Sequence, residues 1–433
     1  MRPGKQLFKS VILLGLVGLM ATVWPWALYG WLILLLVIVA LVVVDFKRTE
    51  IKVYSVQRDV PNPLPLGIWS NVKLKIIYEG SSAAKLKVYD FYPSEVDVEG
   101  LPRSIEFQTR GVLKLEYRIR PHVRGNIYFG QTQLVIEGLV GFLDRSIKVG
   151  HDNETKVYPN FRAVSGYAVL AAENRLSQMG IIKKRRRGEG LNFHQLRPYR
   201  PGDSMRQIDW KATSRIKKLV SREYQEERDQ QVVFLLDCGR RMLAKEGDLS
   251  HFDHTLNSLL LMTYVALKQG DSVGLMTFSG EKRWLSPRKG EHRFNEMMNT
   301  IYDLQPSSQG SDYSTATTEL MVSLKKRSLV IILSNLRDED ADDVVPSIHL
   351  LKKNHLVVFA SLQEVELNRV LDKEIHDFED SLTVAATHHY LNKRRKAHEE
   401  LNHRNVLTLD VEPMDLPVAL VNKYLEIKSS QIL

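Results

Sequence analysis

The chain has 433 residues, about three times an average domain, so one small module is excluded and two or three domains are expected. An apolar content of 44% and a charged content of 26% exclude a mainly disordered, collagenous or coiled-coil chain. Lysine and arginine outnumber aspartate and glutamate by 60 to 51, for a formal charge of +9, and the single cysteine, Cys238, excludes an internal disulfide and favours a reducing compartment.

The N-terminal region contains an uncharged stretch of 34 residues, 11–44. About 20 helical residues suffice to cross ~30 Å of hydrocarbon. Trp24, Pro25 and Trp26 interrupt the stretch, because proline breaks helix hydrogen bonding and tryptophan favours the headgroup level. Residues 1–50 therefore predict two transmembrane helices joined by a tight turn. One long tilted span and a cleaved signal peptide are the alternatives, and the long apolar stretch after the break argues against cleavage.

Basic residues flank this hairpin on both sides, namely Arg2, Lys5 and Lys9 before it and Lys47, Arg48 and Lys52 after it. By the positive-inside rule, both ends of the hairpin face the cytoplasm. We therefore expect a cytoplasmic (inner) membrane protein whose termini and soluble domains are all cytoplasmic.

Residues 51–160 predict an immunoglobulin-like β-sandwich. Apolar and polar residues alternate in short runs at 72–76, 85–89, 112–119 and 133–136. Clusters of glycine, proline, asparagine and aspartate separate the runs, and no long helical period is present.

Residues 229–433 predict a doubly wound α/β domain, because apolar strands alternate with helical patterns. The predicted strands are 231–237, 271–279, 328–334, 355–361 and 405–410. Loops at the carboxyl ends of such strands form the usual ligand crevice, so a functional site is expected there. The fold class is thus multidomain, with a helical hairpin, a β-sandwich and an α/β domain.

The excess positive charge lies in the predicted linker, residues 161–228. Between positions 183 and 228, fourteen basic residues stand against six acidic ones, a net charge of +8. We expect five consecutive basic residues to contact anionic membrane lipid or an acidic protein surface: Lys183, Lys184, Arg185, Arg186 and Arg187. A solvated loop is the alternative, and nucleic acid is not an expected partner because the nearby membrane accounts for the charge.

The segment 196–215 carries a long motif. It is similar to the signature "L-R-x-Y-x-P-G-D-x-x-R-x-I-D-W-K-x-x-A/S-R" of the prokaryotic domain of unknown function 58 family, and the resemblance extends over most of the chain. The matching residues are Leu196, Arg197, Tyr199, Pro201, Gly202, Asp203, Arg206, Ile208, Asp209, Trp210, Lys211 and Arg215. Arg206 and Asp209 have a spacing that allows pairing on a helix, and Trp210 offers a large face for burial. We expect this segment to clamp the linker onto the α/β domain; direct contact with a partner is the alternative.

The resemblance implies a von Willebrand factor A-like domain, which commonly holds Mg²⁺ through D-x-S-x-S, a threonine and a third-loop aspartate. Here Asp237 keeps the first acid, Gly239 and Arg241 replace the two serines, Ser311 keeps a hydroxyl, and Asn335 replaces the last acid. Arg241 also brings a fixed positive charge, which we expect to replace the ion and pair with Asp237. Asp237 and Ser311 are the remaining candidate metal ligands, and stable Mg²⁺ binding is not expected.

The same loops are the expected partner-binding surface, formed by Asp237, Gly239, Arg240, Arg241, Ser311, Asp312 and Asn335. No catalytic set is evident: His398 and His403 miss the H-E-x-x-H spacing by one residue, and no phosphate-binding P-loop is present. We expect a membrane-anchored, non-enzymatic adaptor or scaffold. The resemblance implies a MoxR-type AAA+ ATPase as partner, in assembly or maturation of other proteins. A metal-dependent hydrolase and a basic tether for lipid or nucleic acid are the alternatives.

Overall fold

The computed structural model describes residues 2–48, 53–80, 83–138, 141–161, 164, 166, 192–200, 205–225, 230–337 and 341–430. The basic cluster 183–187 and the signature residues Gly202 and Asp203 lie outside the described residues. The chain divides into two compact units, Met1–Tyr158 and Pro159–Leu433.

The first unit contains two apolar helices, α1 (Lys5–Val23) and α2 (Ala27–Arg48). Each holds an apolar window of at least 18 residues, long enough to cross a membrane. The chain turns between them at residues 24–26, and the helices pack together, with Trp31 Nε1 donating to the Leu14 carbonyl oxygen at 3.1 Å. The prediction of two apolar helices with a break at the tryptophan and proline residues is confirmed.

The described part of the first unit also contains twelve strands in three sheets. Their bounds are β1 (Arg2–Pro3), β2 (Tyr54–Asp59), β3 (Leu64–Pro65), β4 (Ser70–Tyr78), β5 (Ala84–Asp90), β6 (Val96–Glu99), β7 (Arg103–Phe107), β8 (Gly111–Pro121), β9 (Gly125–Phe129), β10 (Thr132–Glu137), β11 (Leu143–Val149) and β12 (Asn153–Tyr158). The sheet orders are β1-β11-β10-β5-β7, β2-β4-β8-β6 and β3-β12-β9. Among these, β3 and β12 pair in parallel, and the other pairs are antiparallel.

The apolar and polar alternation in the sequence explains these strands. In β4, Val72, Leu74, Ile76 and Tyr78 are buried, and the lysines between them are exposed. Side chains of successive strand residues point to opposite faces, so a period of two places all apolar groups on one face. All four predicted runs lie within observed strands, namely β4, β5, β8 and β10.

A buried carboxylate connects the two larger sheets of this unit. Asp90, at the end of β5, accepts hydrogen bonds from Arg58 Nε at 2.9 Å, Tyr117 Oη at 2.5 Å and Thr132 Oγ1 at 3.0 Å. Arg58 and Tyr117 belong to the four-stranded sheet, and Asp90 and Thr132 to the five-stranded sheet. Burial and the Asp90 charge both raise the pKa of Tyr117, so its hydroxyl stays a donor. These polar groups therefore hold the two sheets together.

Both ends of the helical hairpin attach to the turn between β10 and β11. The Asp45 carboxylate accepts from the backbone N–H of Phe142 at 2.8 Å and of Leu143 at 3.4 Å. The backbone N–H of Gly4 donates to the Phe142 oxygen at 2.8 Å, and β1 pairs with β11. A Cβ atom on Gly138 would lie 2.5 Å from the Asp45 carboxylate, so only glycine fits there. One short turn thus receives both ends of the hairpin.

We predict that Asp45→Ala loosens this attachment. The buried Phe142 N–H would lose its acceptor, which costs about 1–3 kcal/mol. Amide hydrogen exchange of residues 141–147, measured by mass spectrometry on the full chain in detergent, should become at least fivefold faster. The exposed Asp152→Ala variant is the control and should leave this exchange unchanged. Equal protection in Asp45→Ala and the wild type would contradict the attachment.

The second unit is built on a six-stranded sheet of order β19-β18-β15-β20-β21-β22. The strands of this unit are β13 (Asn192–Pro198), β14 (Val220–Gln225), β15 (Gln231–Asp237), β16 (Lys245–Glu246), β17 (Leu249–Ser250), β18 (Ser272–Phe278), β19 (Trp284–Arg288), β20 (Leu329–Leu333), β21 (Leu356–Leu362) and β22 (Leu407–Val411). Strands β18, β15, β20, β21 and β22 are parallel, and the edge strand β19 is antiparallel. The five predicted strands are confirmed.

The described part of the second unit contains α-helices on both faces of this sheet and one helix, Trp210–Ile216, within the β13–β14 hairpin. They are α3 (Trp210–Ile216), α4 (His251–Lys268), α5 (His292–Ile301), α6 (Tyr313–Ser323), α7 (Ala341–Lys352), α8 (Val365–Leu371), α9 (Phe378–His403) and α10 (Leu416–Ser430). Phe234 and Leu236 of β15 pack in one core with α4, α5 and α10, whereas Val233 and Leu235 pack in a second core with α6, α7 and the end of α9. The apolar run of β15 is continuous because both of its faces are buried.

Candidate functional site

Three loops meet at the carboxyl end of β15, an interior strand of the parallel sheet. The backbone N–H of Cys238 donates to the Phe278 oxygen at 2.9 Å, and the Cys238 oxygen accepts from the Ser307 N–H at 2.7 Å. The Arg240 N–H donates to the Gln309 oxygen at 2.8 Å. Backbone hydrogen bonds therefore bring the loops after β15 and β18 and the loop before α6 together, as expected for this edge of a parallel sheet.

Asp237 is the centre of this site and is fully buried. Its Oδ2 accepts from the hydroxyls of Ser311 and Ser334, each at 2.6 Å, and its Oδ1 accepts from the Gly239 N–H at 2.8 Å. Burial raises the pKa of Asp237, and these hydrogen bonds and the nearby Arg241 charge partly oppose that rise. Asp237 and Ser311, the two candidate metal ligands, are thus brought together.

The loop packing explains why position 239 is glycine. A Cβ atom there would lie 2.9 Å from Ser311 Oγ, 3.0 Å from Asp237 Oδ1 and 3.0 Å from the Gln309 carbonyl oxygen. The serine that a D-x-S-x-S motif has at this position would collide with the loop before α6. The close approach of the loops therefore explains why this serine is absent.

Ser334 is a site residue that the sequence analysis missed. It precedes Asn335 at the end of β20, and its hydroxyl lies 2.6 Å from Asp237 Oδ2 and 2.6 Å from the Tyr313 hydroxyl. Burial and the charge of Asp237 raise the pKa of Tyr313. The sequence did contain a signal for Ser334, because its hydroxyl comes directly after a buried strand. It lies one residue before Asn335, the position that the metal-binding pattern indicated.

Asn335 does not join Asp237, so the expected grouping of these two residues is wrong. Its Oδ1 accepts from Arg394 Nη1 at 2.7 Å, and its Nδ2 lies 3.4 Å from His251 Nδ1 and 3.4 Å from Glu364 Oε1. Ser334 and Asn335 face different polar clusters because they are consecutive in an extended chain. Burial lowers the pKa of His251 to about 4, so this imidazole is neutral near pH 7.

Arg394 forms the second cluster and was not predicted. It comes from α9 and is only 4% exposed. Besides Asn335, its guanidinium donates to Leu336 O at 3.1 Å, Ser361 Oγ at 2.8 Å, Leu362 O at 2.7 Å and Asp410 Oδ1 at 2.6 Å. These acceptors follow or end β20, β21 and β22, so a single side chain fixes the carboxyl ends of three strands. In the sequence it is one of many basic residues on a polar helix, which gives no distinguishing signal.

Two charged residues of opposite sign form the exposed rim of the site. Arg240 is exposed at the start of a 3₁₀ turn (Arg240–Leu243) that also contains the buried Arg241. Asp312 is exposed and caps α6 by accepting from the Thr315 N–H at 2.9 Å, which lowers the pKa of Asp312. Of the predicted partner-binding residues, Arg240 and Asp312 are thus exposed, Ser311 is half-buried, and Asp237, Gly239 and Arg241 are buried beneath them.

The residues present do not fit a resident Mg²⁺. One carboxylate and two hydroxyls are the right kind of ligand for a hard cation. However, Asp237 is the single carboxylate of this set, Asn335 is held away from it by Arg394, and Arg241 contributes a positive charge close to it. The part of the chain that the structure describes contains no group of three or more His, Cys, Asp or Glu side chains arranged to hold a metal.

The signature segment forms a separate feature, the β13–β14 hairpin with α3 between its strands. Asp209 caps α3 by accepting from the Ala212 N–H at 3.0 Å and pairs with Arg222 Nε at 2.9 Å. The Arg222 hydrogen bond is the main cause of the lowered pKa of Asp209. The expected partner of Asp209 was Arg206, whose side chain lies outside the described structure. A cap at this aspartate explains its place directly before the helix.

Trp210 contradicts the expectation of burial, because it is 67% exposed. Lys211 and Arg215, on the same short helix, are exposed as well, and α3 has no buried residue. Arg197 and Tyr199 lie at the end of β13, where the Tyr199 N–H donates to the Leu219 oxygen at 2.9 Å. The segment thus presents Trp210, Lys211 and Arg215 to solvent, whereas Arg197 and Tyr199 are half-buried.

Comparison with known families gives an assignment for this region. The sequence profile of the family described as "Protein of unknown function DUF58" matches residues 195–406, which include the signature hairpin and the strand-end loops. This region belongs to the DUF58 family. The resemblance inferred from the signature is therefore confirmed.

Individual relatives of this chain are distant. The uncharacterized protein YeaD of Bacillus subtilis (strain 168) is 21% identical over 188 residues, which are 43% of this chain and 44% of that protein. The chain thus aligns with less than half of the length of this curated relative. Among solved structures, an aerotolerance-related membrane protein from Bacteroides fragilis matches 46% of this chain and 98% of its own chain, at 15% identity and a TM-score of 0.27. A PapD-like domain of human CEP192 matches 25% of this chain and 89% of its own, at 15% identity and a TM-score of 0.19.

We predict a pH dependence of stability that reports on Asp237. Its pKa is raised in the folded state above the unfolded value near 3.8, so the stability it contributes is complete below that value and is lost as pH rises through the folded pKa. The Asp237→Asn variant lacks this loss. Urea unfolding between about pH 4 and pH 8 should therefore show its stability rising relative to the wild type.

Asp312→Asn is the matched control of opposite sign. The pKa of Asp312 is lowered by folding, so the stability it contributes is present above the unfolded value and is lost as pH falls. Its asparagine variant should become less stable relative to the wild type as pH rises from about 2 to 5, and the difference should stay constant above that range. A pH-independent difference for Asp237→Asn would contradict the dominance of burial at this carboxylate.

Proposed function

We propose that this chain is a membrane-anchored, non-enzymatic adaptor that presents the carboxyl-edge loops of its α/β region to a protein partner. The observation that carries the proposal is the state of Asp237. Three hydrogen bonds and a nearby guanidinium charge engage this carboxylate inside the protein. A fully engaged, buried carboxylate stabilises loops, whereas a general base or metal ligand needs an open position toward a substrate.

The folds proposed for the two units support an adaptor. Five parallel strands with helices on both faces and converging loops at the carboxyl edge agree with a von Willebrand factor A-like domain. The buried Asp90 contacts between two antiparallel sheets agree with an immunoglobulin-like sandwich. Both are architectures that carry binding loops at their ends.

The proposed partner is an AAA+ ATPase of the MoxR type, acting in assembly or maturation of other proteins. The basic flanks of the hairpin support a cytoplasmic location for the soluble units, where such an ATPase would meet them. Exposed Arg240 and Asp312 give the loop surface a fixed pair of opposite charges. Paired charges of this kind set orientation and partner choice more than affinity.

The adaptor proposal predicts co-purification that depends on this rim. The full chain is purified from gently solubilised membranes with a non-hydrolysable ATP analogue, and bound proteins are identified by mass spectrometry. An AAA+ ATPase should be recovered, and Arg240→Glu should lower its recovery at least fivefold because it reverses the rim charge. Arg288→Glu, exposed at the opposite edge of the sheet beside Val273, is the control and should leave recovery unchanged. Absence of the ATPase in several detergents and with cross-linker contradicts the proposal.

A metal titration separates the adaptor from a metal-dependent hydrolase. We expect no binding heat when Mg²⁺ or Mn²⁺ is added to the purified chain, since Asp237 lies close to the Arg241 charge and Asn335 is held away from it by Arg394. Isothermal titration calorimetry measures this directly, with Asp237→Asn as the reference. Saturable heat at sub-millimolar affinity in the wild type, lost in Asp237→Asn, would favour the hydrolase instead.

A further inference from the structure

A helical arm projects from the carboxyl edge of the six-stranded sheet. Arg394 of α9 contacts the strand ends, and the residues after it, including Ala397 and Leu401, pack in the core on the way to β22. The sixteen residues of α9 that precede Arg394 therefore extend beyond the edge, over about 24 Å at 1.5 Å per residue. Thr387 is the one buried residue among these sixteen. The arm is therefore longer than packing against the core requires.

The tip of this arm, residues 372–382, combines apolar and acidic groups in solvent. Phe378 is 83% exposed, Leu382 60% and Ile375 55%. Phe378 and Leu382 are four residues apart on α9 and share a face. Four exposed acids surround them, namely Asp372, Glu374, Asp377 and Glu379. Lys373 adds no net charge, because it pairs with Asp380 at 3.0 Å.

The signature hairpin presents the complementary surface, residues 205–219. Met205 is 78% exposed, Trp210 67% and Ile216 57%. Four exposed bases lie among them, namely Lys211, Arg215, Lys217 and Lys218. Large apolar side chains rimmed by charge mark protein interaction sites, and tryptophan is prominent among residues that dominate binding energy.

We propose that the arm tip of one copy of this protein docks on the signature surface of a second copy. The arm tip has three large exposed apolar side chains and the signature surface has four, since Leu219 is 48% exposed as well, and the four exposed acids of one face four exposed bases of the other. Burying the apolar groups provides affinity, and the opposite charges provide steering and register. The proposal does not depend on the partner proposed for the strand-end loops.

Two different surfaces form this contact, so the association is head to tail. A head-to-tail dimer still offers an unused signature surface on one copy and an unused arm on the other, so association continues until a ring closes or a filament grows. Copies anchored in one membrane share an orientation, which favours closure within the plane. Neither surface contains Arg240 or Asp312, the exposed rim of the strand-end site.

Cysteine cross-linking tests the contact on the full chain in detergent. Cys238 is the single native cysteine and is buried, so exposed cysteines can be added one at a time. A mixture of Lys211→Cys and Glu379→Cys chains treated with a short bismaleimide should give a covalent dimer, and neither variant alone should. Val322→Cys, 66% exposed on α6, replaces Lys211→Cys in the control mixture and should give at least tenfold less product.

Charge reversal tests the same contact without relying on cysteine placement. Light scattering should show that a chain with Glu374→Lys and Glu379→Lys, or one with Lys217→Glu and Lys218→Glu, loses the wild-type oligomer. Mixing the two variants should restore it, because the reversed arm of one now matches the reversed signature surface of the other. Restoration also shows that both variants are folded.

Three results would overturn the proposal. The first is a wild type that remains monomeric and gives no cross-linked dimer at tens of micromolar. The second is a dimer formed by Glu379→Cys alone, which would assign the arm to self-pairing. The third is an oligomer that survives both charge reversals and also Phe378→Ser, which would place the contact elsewhere.

Discussion

The burial of one carboxylate, Asp237, determines how the functional edge of the α/β region is arranged. An ionisable group without water needs donors, and here they come from three separate segments: Gly239 after β15, Ser311 before α6 and Ser334 after β20. Supplying them requires close approach of the loops, which in turn requires glycine at position 239. The exposed rim is defined only because these buried contacts fix the backbone beneath it.

The same edge carries a second fixed point, the guanidinium of Arg394. Ser334 and Asn335 are consecutive, and each belongs to a different cluster, so the chain after β20 lies between Asp237 on one side and Arg394 on the other. A rearrangement at either cluster must therefore move a backbone segment shared by both. The strand-end site and the base of the helical arm are therefore connected through the backbone of Ser334 and Asn335.

The sequence predicted the elements well because their patterns arise locally. The alternation of apolar and polar residues in β4 indicates one buried face, and the continuous apolar run of β15 indicates two. The choice between Ser334 and Asn335 was not predictable in this way, since it depends on where the strand ends relative to its neighbours. Arg394 was not predicted because no local pattern distinguishes it from the exposed basic residues around it. Only tertiary packing buries this one arginine.

Trp210 and Asp45 show that burial of a single side chain is hard to predict from local sequence, the first because it is exposed and the second because it is buried. A tryptophan in a specific motif suggested burial, yet α3 is too short and too peripheral to cover it. Asp45 closes an apolar helix, where an acid is usually a solvated end, yet its carboxylate is buried against the turn between β10 and β11. In both cases, segments far away in the sequence determine whether another part of the chain packs on the side chain.

The fastening of both hairpin ends to that one turn gives the membrane region a mechanical role. Neither helix can slide along the other or rotate about its axis without deforming the backbone between β10 and β11. Any tilt of the hairpin relative to the five-stranded sheet therefore strains this one short turn, whichever helix moves first.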